Sequence, residues 1–224
     1  MVKCKWCGRS GIFLPVNNNG ICQNCEKFIQ LEVNNRIRIL NDSIKLVKDT
    51  KNVDTLISRL DLIIQQTNEL MKYEEYGIST VNPPPSHINK NIRESRDSII
   101  IDHLNEEYNS TLSKVELPGI TSRRKITALN KLLIKNADTK EKLNDSALID
   151  GLDNKIKSDI NRIQFDSLMD DAKKAEFKNN KKTALNKYYE ALYFLRHDEI
   201  DDALQNDHII HIEKKIVELG GELK

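Results

Sequence analysis

Residues 56–70, LISRLDLIIQQTNEL, indicate the fold class of this chain because their apolar side chains recur at spacings of three and four. That period is typical of one face of an amphipathic helix. The same period runs through residues 37–47, and the stretch DTKNVD at 49–54 interrupts it. Two helices separated by a short break predict a helical hairpin with narrow, coiled-coil-like seams, which we assign to residues 28–76.

The segment after this hairpin, YGISTVNPPPSH at 76–87, cannot continue a helix, because three consecutive prolines lack amide donors and force an extended path. We therefore place the main boundary there, as a Pro-rich linker over 77–87. The linker would let the next helix turn back onto the hairpin or leave the hairpin as a separate arm. We favour the arm, whose leucine and isoleucine row from 56 to 70 would bind a second copy or another protein.

The remainder of the chain is predicted to be helical. A long helix is expected from Asn89 to Ser113, LPG at 117–119 ends it, and another helix begins near Thr121. A further amphipathic period predicts a long helix over 148–163. We assign residues 88–164 to a helical domain and residues 165–224 to a helical hairpin plus a C-terminal helix. The fold class is therefore mainly α, a small finger followed by an array of antiparallel helices.

The stretch AKKAEFKNNKKTALNKYYEALYFL at 172–195 resembles a single tetratricopeptide repeat. Its small and large packing positions are occupied by Ala172, Ala184, Tyr188, Ala191 and Leu192. The match departs from the family where Asp171 and Ala172 replace the usual tryptophan or leucine and glycine, and the closing proline is absent. The resemblance implies a helical pair that serves protein contacts. Because stacked repeats need about three units, packing on the other helices is favoured over a peptide-binding groove.

All four cysteines lie in residues 1–25, MVKCKWCGRSGIFLPVNNNGICQNC, as two CxxC pairs. Two such pairs joined by a short loop suit tetrahedral thiolate coordination, so the sequence predicts one zinc ion bound by Cys4, Cys7, Cys22 and Cys25. Gly8 supplies the permissive dihedrals that the first knuckle needs. The alternation of Ile12, Leu14 and Val16 predicts a short strand, and NNNG at 17–20 predicts a turn before a helix that begins near Cys25.

The order of knuckle, hairpin and helix resembles a treble-clef zinc finger, which we assign to residues 1–27. Four thiolates leave no open coordination position, so the zinc is expected to be structural. Disulfides are disfavoured because the chain shows no secretion signal, which indicates a reducing compartment. A rubredoxin-like iron site would show two glycine-bearing knuckles, and only the first is present here.

Two further groups of side chains have alternative interpretations. Trp6, beside Lys3, Lys5 and Arg9, could form a basic aromatic surface for a nucleic-acid base or a partner protein, although packing of the ring is favoured. The second group is a histidine pair one helical turn apart, which could bind a second metal, although a polar helix face is favoured because no third ligand lies in register. The pair is His208 and His211.

Composition and charge limit the class of protein. Lysine plus arginine number 35 and aspartate plus glutamate 34, giving a net charge of +1, so no overall field recruits nucleic acid or a membrane surface. The sequence has no signal peptide and no stretch of about 20 apolar residues, which predicts a cytoplasmic protein without membrane contact. Abundant isoleucine, asparagine and lysine with 5% aromatics are typical of AT-rich genomes such as those of low-GC bacteria and their phages.

No phosphate-binding loop, nucleophile elbow or HExxH motif occurs, so we predict no catalytic residue, no other cofactor site and no enzyme activity. The sequence favours a zinc-containing helical adaptor or modulator that binds another protein. Self-association through residues 28–76 is a further expectation. The alternative is a nucleic-acid-binding regulator that uses the zinc finger.

Overall fold

The computed structural model describes residues 1–198 and 202–223, and it confirms the predicted mainly α fold with a small β-hairpin. The strands β1 and β2 pair antiparallel, with Val2 opposite Gly11 and Lys3 opposite Ser10. Within the described part of the chain, none of the helices has the length and apolar character that crossing a membrane requires. The elements are β1 Val2–Lys3, β2 Ser10–Gly11, α1 Gln23–Asp49, α2 Val53–Glu75, α3 Pro85–Val115, α4 Ser122–Lys140, α5 Ala147–Phe177, α6 Lys181–His197 and α7 Asp202–Glu218.

The helix ends follow local signals in the sequence. α1 ends inside the predicted break, and the side chain of Asn52 accepts a hydrogen bond from the Thr55 N–H at 2.9 Å to cap α2. Thr121 caps α4 in the same way, through the N–H of Arg124. α3 begins at Pro85 rather than at the predicted Asn89, because a proline in the first turn gives up no intrahelical hydrogen bond.

The chain divides into two compact units. The first unit comprises Met1–His103 with Leu143–Asp145, and the second comprises Leu104–Lys142 with Ser146–Lys224. The division falls within α3, and the Pro-rich segment belongs to the first unit. The segment boundaries derived from the sequence stay predictions, and residues 199–201 and 224 of the last segment lie outside the described residues.

The first unit has one core that joins the finger, α1 and α2, and isoleucines of α3 pack against it. Leu60 and Ile63 are only 2% and 0% exposed in this core. The expectation that the hairpin stands apart as an arm is therefore wrong, because its apolar row is buried within its own unit. Self-association through residues 28–76 stays a prediction. The isoleucines of α3 that cover the core are Ile88, Ile92 and Ile99.

A buried asparagine connects α3 to α2. The Nδ2 group of Asn89 donates to the carbonyl oxygen of Ile64 at 3.1 Å and to the Oγ1 atom of Thr67 at 2.7 Å. Thr67 in turn donates to the carbonyl oxygen of Ile63 at 2.8 Å. These bonds explain why a threonine occupies an otherwise apolar row, since a buried hydroxyl must find polar partners.

A buried ionic network holds residues 143–145 in the first unit. Arg96 pairs with Asp97 and with Asp61, each at 2.9 Å. The second carboxylate oxygen of Asp97 accepts from the backbone N–H of Asn144 at 3.0 Å and from its side-chain amide at 2.9 Å. Removing one member would leave a buried charge without its partner, so the network constrains this loop.

In the second unit, α4 packs on α5, α5 on α6, and α6 on α7. The hydroxyl of Tyr188 donates to Glu176 at 2.8 Å, and Lys215 contacts the same carboxylate at 2.9 Å. Burial and the neighbouring Glu176 raise the pKa of Tyr188 to about 12. The five residues that carry the tetratricopeptide resemblance are all buried, and the resemblance itself stays a prediction.

Candidate metal centre

The four predicted ligands come together in the finger. The Sγ atoms of Cys4, Cys7, Cys22 and Cys25 all lie within 4.8 Å of one another, and those of Cys7 and Cys22 are 4.0 Å apart. A tetrahedral zinc ion with Zn–S bonds of about 2.3 Å requires sulfur atoms about 3.8 Å apart. The four thiols therefore fit a metal ion with soft-ligand preference and tetrahedral geometry, and Cys7 is the one whose side chain is exposed.

Backbone hydrogen bonds shape the first knuckle. The N–H of Cys4 donates to the carbonyl oxygen of Arg9 at 2.8 Å, and the N–H of Gly8 donates to the carbonyl oxygen of Cys4 at 3.0 Å. Gly8 has a φ of 71°, a left-handed conformation that favours glycine. The predicted role of Gly8 is therefore confirmed: it turns the chain so that both sulfur atoms face inward.

The second pair is positioned by Asn17 and by the start of α1. The side-chain oxygen of Asn17 accepts from the backbone N–H groups of Asn19 and Ile21, each at 3.0 Å, which closes the NNNG turn. Cys22 is the residue that precedes α1, so Cys25 lies in its first turn. The backbone N–H of Cys22 also donates to the Sγ atom of Cys4 at 3.3 Å, which joins the two pairs directly.

The finger strands differ from the prediction. The strand expected over Ile12, Leu14 and Val16 does not form. Of these three residues only Val16 makes a β-bridge, with Cys22, and the strands that do pair are β1 and β2. Pro15 has no amide donor, and residues 12 and 13 form a turn, so this stretch cannot support a ladder.

The thiols differ in acidity because their surroundings differ. Hydrogen bonds from the backbone N–H groups of Cys7 and then Cys22 lower the pKa of Cys4 to about 6. Burial, followed by the neighbouring thiols, raises the pKa of Cys25 to about 12. Four thiols this close oppose one another's ionisation, and a divalent cation among them supplies the positive charge that four thiolates need.

Trp6 is half-buried and packs against the core of the first unit, in agreement with the favoured interpretation. Its ring stacks on Tyr73 of α2 with centroids 5.3 Å apart and planes 9° apart, and it meets Tyr76 edge-on at 5.0 Å. Burial and the carboxylate of Glu32 raise the pKa of Tyr73 to about 12. The aromatic group thus fastens the finger to the end of α2.

The outer surface of the finger is basic and partly apolar. Lys3, Lys5 and Arg9 are exposed, and no acidic residue occurs before Glu26. A cleft of about 720 Å³ lies beside the first knuckle and is lined by both lysines, Trp6 and the end of α2. Sequence reasoning missed the exposure of Ile12 and Phe13. The alternation of Ile12, Leu14 and Val16 suggested that Ile12 would lie on the buried face of a strand, and Phe13 was not considered.

The histidine pair does not form a comparable site. Among the described residues, the cysteines are the one group of three or more candidate ligands close enough to share a metal ion. The ring of His208 meets Phe165 edge-on with centroids 5.1 Å apart, and His211 is exposed. Neither has the further ligands that a second metal site needs.

Comparison with protein-family models, with curated proteins and with solved structures finds no match to this chain. The treble-clef resemblance stays a prediction. What the geometry establishes is a cluster of four cysteines that can hold a metal ion, in a finger that is packed on a helical hairpin.

Proposed function

We propose that this chain is a non-enzymatic, zinc-containing helical protein whose finger docks on another protein. The observation that carries the proposal is the exposure of two adjacent apolar side chains: Phe13 is 93% exposed and Ile12 is 72% exposed. Large apolar groups at the surface of a small rigid module are typical of binding sites, where aromatic anchors supply most of the binding free energy.

The finger presents these side chains on an anchored loop. The pairing of Val2 with Gly11 brings the exposed Val2 to the same end of the hairpin as Ile12 and Phe13. Leu14, directly after them, packs against the core of the first unit. An apolar surface that is already ordered loses little conformational entropy on binding, which favours affinity.

The charges around this surface indicate the chemistry of the partner. Lys3, Lys5 and Arg9 carry the only charged side chains in residues 1–25. A partner that offers an apolar pocket bordered by carboxylates would complement both the shape and the charge of the finger. The amino-acid usage of the chain favours a bacterial or phage setting for this partnership.

The proposal is tested by comparing variants that differ only in the surface they alter. The double variant I12S/F13S and the control F177S are used as baits in a nuclease-treated lysate of the source organism, and any captured protein is then purified for a binary affinity measurement. Phe177 is a suitable control because it is 90% exposed and lies in the second unit.

We expect the finger variant to lose at least about tenfold in binary affinity, as removal of an aromatic anchor commonly does, and F177S to stay within about twofold. Equal effects of the two variants, or none from I12S/F13S, would rule out the finger as the docking surface.

Nucleic-acid binding is the second candidate. The exposed side chains of Lys3, Lys5 and Arg9 favour it, although Glu75 lines the same cleft as the two lysines. Trp6 weighs against it, because one face of its ring is already stacked on Tyr73 and Tyr76 meets the ring edge-on. At physiological salt we expect no binding to single- or double-stranded DNA or RNA oligonucleotides tighter than about micromolar, the ordinary non-specific range. A nanomolar complex that weakens with salt and in a K3Q/K5Q/R9Q variant would reverse the preference.

A further inference from the structure

Two clefts open on one face of α5 in the second unit. The first, of about 480 Å³, is lined by Ile126 of α4 and Gln164 of α5; the second, of about 310 Å³, is lined by Leu133 of α4 and Lys157 of α5. Phe194 of α6 borders both clefts. The two clefts are neighbours that share Phe194, with lining residues from α4 on one side and from α5 between, and we refer to them together as the groove.

The spacing of the clefts is the same on both helices. Gln164 lies seven residues after Lys157 on α5, and Leu133 lies seven residues after Ile126 on α4. At about 1.5 Å per helical residue, the cleft centres are about 10 Å apart. Side chains on one face of a polyproline II segment recur every third residue, at about 9.3 Å, and would enter successive clefts. A partner helix could match the spacing with side chains seven residues apart, so spacing alone does not select the ligand.

The amide side chains that line the groove favour one kind of ligand. Asn130, Asn161 and Gln164 line the clefts and make no side-chain hydrogen bond to any other described residue. Each amide offers both a donor and an acceptor. A polyproline II segment leaves its backbone carbonyl groups unbonded, so they can accept from these amides, whereas a helix bonds its own backbone and offers only side chains. The amides therefore favour the extended segment.

Charge at the groove adds a second requirement. Arg123 borders the first cleft and Lys157 the second, and neither forms an ion pair with another described residue. Asp198 also lines the second cleft, and its carboxylate accepts from the neutral amide of Gln205 at 3.0 Å. Arg123 and Lys157 outnumber this one carboxylate among the charged residues of the two clefts, which favours a ligand with acidic residues at its ends.

We infer that the second unit binds an extended, polyproline-II-like segment of another protein, with apolar side chains at every third residue and acidic residues flanking them. The apolar side chains fill the clefts on the two sides of Phe194, and the backbone bonds to Asn130, Asn161 and Gln164. This site includes α4, which lies outside the repeat-like hairpin, and it does not depend on the proposed role of the finger.

The test uses the full chain, loaded with zinc, and a fluorescein-labelled peptide DLPPLPPLD, whose leucines recur at every third position. Fluorescence anisotropy measures its binding beside two control peptides: DPPLLLPPD, with the same composition but adjacent leucines, and an amphipathic helix former with leucines at i, i+3, i+4 and i+7. The variants are N161A, Q164A and their combination. N206A is the matched control, because Asn206 is an exposed asparagine of α7 that lines neither cleft.

We expect DLPPLPPLD to bind saturably below about 1 mM and more tightly than either control peptide. Loss of one hydrogen bond should weaken binding about fivefold in each single variant and about 25-fold in the double variant, with no change in N206A. The inference is overturned if the peptide fails to saturate, if the amide variants bind as well as the wild type, or if the helical peptide binds as tightly.

Discussion

Replacing Leu60 by alanine is expected to destabilise the first unit by about 3 kcal/mol. Leu60 is 2% exposed and belongs to the core that joins the finger to the first three helices. The substitution removes three carbon atoms, each worth about 0.8 kcal/mol when buried, and the cavity left behind adds to the loss. With a urea dependence of about 1.5 kcal/mol per molar, the midpoint should fall by about 2 M.

Trp6 provides the assay. It is the only tryptophan of the chain and stacks on Tyr73 within the same core, so its fluorescence reports unfolding of the first unit. Urea titrations of zinc-saturated wild type and variant should show the Trp6 transition shifted to lower urea. Far-ultraviolet circular dichroism followed in the same samples checks that both proteins start with the same helix content.

The matched control is Leu31→Ala, which removes the same atoms from α1 at a side chain that is 65% exposed. Its effect should stay below about 1 kcal/mol, because little apolar area is lost and alanine favours helix. Similar midpoints for the two variants would refute the packing described here and would restore the view that the hairpin stands apart.

Two further predictions concern the metal and the three tyrosines that lie beside carboxylates. Elemental analysis should find one zinc ion per chain. The variant Cys22→Ser should bind less zinc and show altered Trp6 fluorescence while it keeps most of the helical signal. A folded finger without metal, or with iron instead of zinc, would contradict the assignment. Burial and a neighbouring carboxylate raise the pKa of Tyr73, Tyr108 and Tyr188 from 10 to about 12. Because the folded protein favours the protonated phenols, the stability that these tyrosines contribute is complete below pH 10 and is lost as the pH rises through 12. Near-ultraviolet absorbance should show an ionisation step near pH 12 that is smaller in Tyr73→Phe and absent in concentrated urea. If the folded protein shows no such step, the raised pKa values are contradicted.

Local features of the sequence were predictable because their causes lie within a few residues. The spacing of the cysteines and the position of Gly8 indicated the four-thiol cluster, because the conformation of a knuckle depends on the backbone of the few residues that form it. The helices and the break between the first two followed from apolar period and capping residues. The identity of the metal and the binding partner have no such local signature and stay proposals.

The covering of the hairpin by α3 could not be predicted, because it depends on contacts between residues far apart in the sequence. Asn89 donates to groups more than 20 positions away, and in a helical pattern an asparagine looks like a surface residue. The same holds for Asp97 and Asn144, whose bond brings the loop at 143–145 to the first unit. Burial of a polar residue is decided by its partner, which apolar periodicity does not encode.

The exposure of Ile12 and Phe13 has a physical explanation in the way that a small metal-binding finger folds. A module of this size buries too little apolar surface to be stable alone, and a metal ion held by four thiolates supplies the missing free energy. The core contacts are made by Leu14, Val16 and Ile21, so the side chains at 12 and 13 are not needed for folding. I12S/F13S should therefore keep the zinc content and the Trp6 fluorescence of the wild type. If binding is lost while both are retained, the apolar pair serves recognition; if zinc or Trp6 fluorescence changes as well, the pair belongs to the fold of the finger.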